Sequence, residues 1–120
     1  MSHGSHRSYH AYGITITAEE IHDWACEKGF WDIEVKHGGY RNNGEMIALM
    51  HSELSELLEA YREPGLSEKI PNFTQAEEEA ADVLIRLLDF SVGRDIRLKE
   101  AVIAKMHYNE GRPYKHGKEF

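Results

Sequence analysis

Four carboxylates in the middle of the chain form two pairs with the same spacing. Glu53 and Glu56 are three residues apart, and Glu79 and Asp82 repeat that spacing further along. Residues three apart lie on one face of an α-helix, so each pair would present two carboxylates side by side. Clusters of oxygen ligands are what Mg²⁺ and Mn²⁺ bind in proteins. If the two helices pack on each other, the pairs predict a divalent-metal site.

Basic and amide side chains follow near the end of the chain. Lys105 and Asn109 are one helical turn apart, and Arg112 follows at the predicted end of the same helix. Tyr114 and Lys118 add further donors in a chain that is otherwise acidic. Such donors bind phosphate oxygens, so we expect this end of the chain to hold a phosphate chain whose remaining charge the metal neutralises.

Aromatic residues cluster in and after the first predicted helix. Phe30 and Trp31 are candidates for stacking on a nucleotide base, although such rings pack in cores at least as often as they contact ligands. Trp24 is predicted to lie in the core. Cys26 has no disulfide partner and no activating motif, so we interpret it as a buried, inert thiol.

Capping signals and apolar periodicity divide the chain into about four helices. Thr17 with Glu20, and Thr74 with Glu77, are capping-box pairs that begin the first and third helices. The second helix, about 45–62, carries the clearest apolar stripe and is predicted to face the core with it. The residues of this stripe are Ile47, Met50, Leu54, Leu57, Leu58 and Tyr61.

The third helix is predicted to run to Gly93, and Asp95 to cap a fourth helix that carries the apolar residues Ile96, Ala101, Val102 and Met106. The β-type run at 14–17 has no partner, so no sheet is predicted. The fold class is therefore all-α, a bundle of about four helices. We expect oligomerisation to complete it, because four short helices bury limited area.

Residues 1–16 are predicted to be a flexible tail that contains His3, His6 and His10, and residues 17–120 a single helical domain. The net charge of −7 disfavours nucleic acid and anionic membranes as partners. The single cysteine and the lack of an export signal favour the reducing cytoplasm. No apolar run approaches the roughly 20 residues of a membrane span.

The order and spacing of these residues resemble the MazG-like all-α nucleoside triphosphate pyrophosphohydrolases. The resemblance extends from about residue 17 through the tail. It rests on Glu53-x-x-Glu56, a gap of 22 residues, Glu79-x-x-Asp82, and then Lys105-x-x-x-Asn109-x-x-Arg112-Pro113. It implies Mg²⁺-dependent hydrolysis of a (deoxy)nucleoside triphosphate between the α- and β-phosphates, giving the monophosphate and pyrophosphate, in nucleotide-pool housecleaning. It is also compatible with a homodimer or a homotetramer.

The resemblance implies roles for the residues singled out above. The four carboxylates would hold Mg²⁺, with Mn²⁺ as an alternative, and the downstream lysine, asparagine and arginine would hold phosphate oxygens. A carboxylate of the cluster would act as the base; the sequence does not resolve which one, and Glu56, with Glu53 beside it, is our candidate. Ser52 stands where some relatives carry an additional acid, which leaves the number of metal ions open.

A second hypothesis needs no metal. Glu-x-x-Glu and Glu-x-x-Asp are also common on solvated helix faces, where they have no function. The apolar faces would then bind a partner chain, and the protein would be a non-catalytic helical interaction module. Mg²⁺-dependent release of pyrophosphate from nucleotides separates the two hypotheses.

Overall fold

The computed structural model describes residues 8–32 and 42–117. In chain order the elements are strands β1 (Ser8–Ala11) and β2 (Ile14–Thr17), helices α1 (Ala18–Glu27), α2 (Asn43–Arg62), α3 (Gln75–Gly93) and α4 (Leu98–Glu110), and a 3-10 turn at Tyr114–Gly117. The four helices confirm the prediction of a mainly helical chain. No helix within the described ranges is long and apolar enough to cross a membrane.

A two-stranded antiparallel hairpin precedes the helices, so the prediction that no sheet forms is wrong. Tyr12 and Gly13 form its two-residue turn, with φ angles of 55° and 73°. Two positive φ angles are typical of a type I′ turn, whose twist matches that of the paired strands. Residues 8–16 of the predicted tail therefore belong to the hairpin or its junction with α1, and residues 1–7 lie outside the described residues.

The first and third helices begin at the predicted caps. The hydroxyl of Thr17 accepts a hydrogen bond from the Glu20 amide at 3.1 Å. Thr74 and Glu77 form a complete capping box, in which each side chain accepts from the backbone amide of the other. Gly29, with a φ of 84°, ends α1 in the left-handed conformation that glycine adopts without strain.

The segment between α3 and α4 differs from the prediction. Asp95 does not cap the fourth helix; it has a φ of 54° and ends α3. Its amide donates to the Val92 carbonyl, and the Ile96 amide donates to the Ser91 carbonyl, which is the Schellman pattern of a helix C-terminus. Arg97 is the N-cap residue of α4, and its side chain forms no capping hydrogen bond.

Helices α2 and α3 form an antiparallel pair. Arg94 at the end of α3 donates to the Asn43 side chain at the start of α2, with 2.6 Å between Nε and Oδ1. Arg86 near the middle of α3 reaches Glu53 near the middle of α2. The two acidic pairs, one on α2 and one on α3, therefore lie on neighbouring helices that run in opposite directions.

Hydrogen bonds of Ser67 stabilise the loop between α2 and α3. Its buried hydroxyl donates to the carboxylate of Glu78 and accepts from the amides of Lys69 and Ile70. Its own amide donates to the Phe73 carbonyl at 2.9 Å. This loop lies in the middle of the segment of 22 residues that separates the two acidic pairs.

Helix α2 turns a different face toward α3 than the sequence predicts. Its buried residues are Met46, Glu53 and Ala60, which recur every seven residues. Of the predicted stripe, Met50 and Leu57 are half-buried. The others are 43–72% exposed: Ile47, Leu54, Leu58 and Tyr61. The prediction that this stripe faces the core is therefore wrong for the described chain, because α2 carries two apolar faces and α3 covers one of them.

Helix α4 is accessible to solvent along its whole length. None of its residues is buried, and its apolar residues Ala101, Val102 and Met106 are exposed. A cavity of about 730 Å³ lies between the start of α4 and the end of α3, with Leu88 and Ile103 among its lining residues. Only four apolar residues of the described ranges are buried: Ala25, Met46, Ala60 and Leu88.

Candidate metal centre

Helices α2 and α3 bring the carboxylates of both predicted pairs together. One carboxylate oxygen from each of Glu53, Glu56 and Glu79 lies within 4.8 Å of the others. Asp82 forms a second group of this kind with Glu78 and Glu79. Because Glu79 belongs to both groups, they are contiguous. We call these five residues the carboxylate cluster; Glu78 is the member that sequence reasoning missed.

The carboxylate cluster reaches from the protein interior to the surface. Glu53 and Glu79 are 9% and 5% exposed, whereas Glu56 is accessible. The Oε1 atom of Glu79 accepts from the Gln75 side-chain amide at 2.6 Å. Its Oε2 atom is buried without a hydrogen-bond partner. Because a buried carboxylate oxygen without a partner is costly, the orphaned atom fits a site that gains a cation.

Burial and repulsion change the titration of two members of the carboxylate cluster. The pKa of Glu79 is raised, first by burial and then by the neighbouring Glu56 carboxyl group, while the hydrogen bond from Gln75 lowers it. Burial also raises the pKa of Asp82, and the negative charges of Glu53 and Glu79 add to that effect. The metal-free fold therefore favours protonated forms of both groups. A bound cation would favour the ionised forms instead.

Arg86 balances part of this negative charge. Its Nε donates to Oε1 of Glu53 at 2.8 Å. Sequence reasoning missed Arg86, although the signal was present: Glu79, Asp82 and Arg86 are three and then four residues apart, which places them on one face of α3.

A cleft of about 500 Å³ opens beside the carboxylate cluster. Glu56, Glu78 and Glu79 line it, so the accessible member of the cluster and two of its three buried members face this space. Lys69 is the one basic residue among the described residues of its lining. Lys69 is a second residue that sequence reasoning missed; it lies in the loop fastened by Ser67, where no periodic pattern marks it.

Of the predicted phosphate-binding residues, the four that the structure describes do not line the cleft beside the cluster: Lys105, Asn109, Arg112 and Tyr114. Lys105 and Arg112 lie 4.6 and 5.7 Å from the centre of one tyrosine ring of the same helix. Within the described part of the chain, neither forms an ion pair with an acidic residue of α2 or α3. Asn109 is half-buried, Tyr114 is exposed, and Lys118 lies outside the described residues.

Trp31 belongs to a second polar group, between α1 and α3. Its Nε1 donates to Oδ1 of Asp89 at 2.8 Å, and Nδ1 of His22 lies at the same distance from that oxygen. The His22 and Trp31 rings meet edge to face with 5.0 Å between their centres. A side chain at Gly93 would overlap the Trp31 ring. These contacts fix the ring, and its stacking on a base stays a prediction.

The other residues near α1 are more exposed than predicted. Phe30 packs on Trp24 with 5.8 Å between ring centres, and both residues are about half exposed. The core prediction for Trp24 is therefore wrong. Cys26 is exposed, not buried. Desolvation and the charge of Asp89 raise the pKa of its thiol, which favours the unreactive protonated form.

No family model, curated protein or solved structure matches this chain. The chemistry of the centre is therefore inferred from its own side chains. Among the described residues, its donors are carboxylate oxygens, with no histidine or thiolate in either group. Such a set suits hard cations such as Mg²⁺ and Mn²⁺ better than Zn²⁺.

Proposed function

We propose that the chain is a Mg²⁺-dependent nucleoside triphosphate pyrophosphohydrolase of the MazG-like kind. The observation that carries this proposal is the carboxylate cluster, with the orphaned Oε2 of Glu79 inside it. The substrate class comes from the sequence resemblance, in which a lysine, an asparagine and an arginine follow the two acidic pairs. The product pair would be a nucleoside monophosphate and pyrophosphate, in nucleotide-pool housecleaning in the cytoplasm.

Glu53, Glu56 and Glu79 would hold the ion, with Asp82 beside them. When bound, Mg²⁺ supplies neutralisation of the phosphate charge. Glu56 is the candidate base, because it is the accessible member and lines the cleft. It would take a proton from a water molecule whose oxygen bonds to the α-phosphorus, while the bond from that phosphorus to the bridging oxygen breaks and pyrophosphate leaves.

We further propose that a second copy of this chain covers the free face of α2. This face consists of Ile47, Leu54, Leu58 and Tyr61. By helical spacing, none of the four glutamates of α2 lies on it, so two copies of an acidic chain could meet there without opposing carboxylates. Ala81 and Ile85 on α3 are exposed as well. A homodimer or homotetramer would add apolar contacts to the small core of one chain. It would also allow α4 of one copy to approach the carboxylate cluster of another copy.

The exposed apolar faces of α2 and α4 also favour a second candidate function. A non-catalytic interaction module would use these faces to bind a different protein, and its carboxylates would need no metal. The orphaned oxygen of Glu79 favours the enzyme, because a solvated acidic face leaves no buried oxygen without a partner.

The decisive experiment is a panel of nucleoside and deoxynucleoside triphosphates, assayed for pyrophosphate release with Mg²⁺, Mn²⁺ or chelator. We expect metal-dependent release from at least one nucleotide, and a loss on the order of 100-fold or more in Glu53→Gln and Glu79→Gln. Glu45→Gln is the matched control, because Glu45 is exposed on α2 and belongs neither to the carboxylate cluster nor to the lining of the cleft. No release from any nucleotide would favour the interaction module.

A further inference from the structure

Within the described part of the chain, the basic residue that forms an ion pair with the carboxylate cluster is Arg86, and its partner is Glu53. Its partner Glu53 is largely buried, and the two side chains are 11% (Glu53) and 36% (Arg86) exposed. A buried carboxylate that loses its cation is left uncompensated, which is strongly destabilising. In the metal-free chain, Arg86 is therefore the group that compensates the charge of Glu53.

Glu53 also belongs to the group it forms with Glu56 and Glu79. A divalent cation among these three carboxylates would lie close to the guanidinium of Arg86, because both would contact the same carboxylate. Two positive groups repel each other more strongly in a partly buried site than in water. Each of them would thus weaken the hold of the other on Glu53, which is a negative coupling between two ligands of one group.

We propose that Arg86 and the divalent cation compete for Glu53, and that Arg86 turns to a phosphate oxygen of the substrate when the cation binds. This inference rests on the proposed function. The pair with Glu53 uses the Nε–H of Arg86, whereas a guanidinium carries five N–H donors in a fork that matches phosphate oxygens. Metal loading would in this way prepare a cationic side chain for the triphosphate.

The competition is tested first with Mn²⁺ alone, by electron paramagnetic resonance of free and bound ion without nucleotide. Arg86→Gln should bind Mn²⁺ about fivefold or more tightly than the unmodified chain, because the competitor is gone. Arg86→Lys keeps the charge and should stay within about twofold, as should the matched control Arg62→Gln on the surface of α2. Unchanged or weaker binding in Arg86→Gln overturns the competition.

The transfer to phosphate is tested by steady-state kinetics at saturating Mg²⁺. Arg86→Gln should raise KM for the nucleotide about tenfold or more with a smaller change in kcat, because a charge-assisted contact to the substrate is lost. Arg86→Lys should recover part of this effect, whereas Arg62→Gln should have none. An unchanged KM in Arg86→Gln overturns the transfer.

A third measurement uses the unmodified chain and therefore does not depend on the folding of a variant. The side-chain Nε–H resonance of Arg86 should shift during a Mg²⁺ titration, while that of Arg62 should not. An Arg86 resonance that stays in place overturns the competition. If the unmodified chain binds no Mn²⁺, the proposed function fails as well; if it binds Mn²⁺ and Arg86 is indifferent to it, only the competition fails.

Discussion

Glu56 and Glu79 are separated by 22 residues in the sequence, yet one carboxylate oxygen of each lies within 4.8 Å of the other. Glu79 is buried and Glu56 is accessible. Two carboxylates this close repel each other when both are ionised, so the fold stores a repulsion that a proton or a cation relieves. The stability of the chain should therefore depend on pH and on divalent cations in ways that can be measured.

Replacement of Glu79 by glutamine should separate the stability of the fold from the binding of metal. An amide keeps the oxygen that accepts from Gln75 and removes a buried charge. We expect Glu79→Gln to be as stable as the unmodified chain without metal, or more stable by about 1 kcal/mol. It should lose the stabilisation by Mg²⁺ that the unmodified chain shows in thermal unfolding. Equal stabilisation of both proteins by Mg²⁺ would remove Glu79 from the site.

The pH dependence follows from the raised pKa values of Glu79 and Asp82. Between the ordinary carboxyl pKa of about 4 and the raised values, the folded chain binds more protons than the unfolded chain. The contribution of these two groups to stability is therefore complete below about pH 4 and is lost as pH rises through the raised values.

This contribution can be isolated by comparison with the Glu79→Gln, Asp82→Asn double variant in urea unfolding with chelator. The unmodified chain should lose stability relative to the variant as pH rises from about 4 to 7.5. Excess Mg²⁺ should restore the stability of the unmodified chain at pH 7.5. A stability difference between the two proteins that does not change with pH would show that the cluster holds no repulsion.

Gly93 should be required for the packing of Trp31. A methyl group at this position would overlap the ring, which is held by Asp89 and cannot move away freely. We expect Gly93→Ala to lower the free energy of unfolding by about 1–3 kcal/mol, as overpacking does. Gly65→Ala is the control, since a Cβ there meets nothing within 4 Å, and it should change stability by less than about 0.5 kcal/mol. Urea titration followed by circular dichroism measures both.

The free face of α2 should control self-association. Glutamate in place of Leu54 and Leu58 would bring charges into a buried apolar contact. The unmodified chain should sediment as a dimer or tetramer at micromolar concentration, and the Leu54→Glu, Leu58→Glu variant as a monomer. Asn72→Glu adds the same kind of charge to the exposed α2–α3 loop and should not change the mass. A monomeric unmodified chain would contradict the proposed contact.

The helices and the carboxylate cluster could be predicted because their signals are local. The capping box of Thr74 and Glu77 marks where α3 begins, and a spacing of three residues fixes which carboxylates share a face. The hairpin was missed because its first strand, Ser8–Ala11, alternates too weakly to be recognised, and its turn depends on a positive φ at a tyrosine.

The faces of α2 could not be assigned from the sequence. Met46, Glu53 and Ala60 recur every seven residues, and so do Ile47, Leu54 and Tyr61, one position further on. Periodicity shows that both series can be packed, but it does not show which neighbour covers each of them. The position of α4 could not be predicted for the same reason, because no local feature of its sequence indicates which element it packs against.

The most direct test of the proposed centre is a crystal structure of the chain soaked with Mn²⁺, with anomalous diffraction data to locate the ion. We expect a peak bound by Glu53, Glu56 and Glu79, at the roughly 2.0–2.6 Å typical of hard cations and carboxylate oxygens. A crystal at millimolar Mn²⁺ with no peak at these carboxylates would contradict the metal centre and the hydrolase with it.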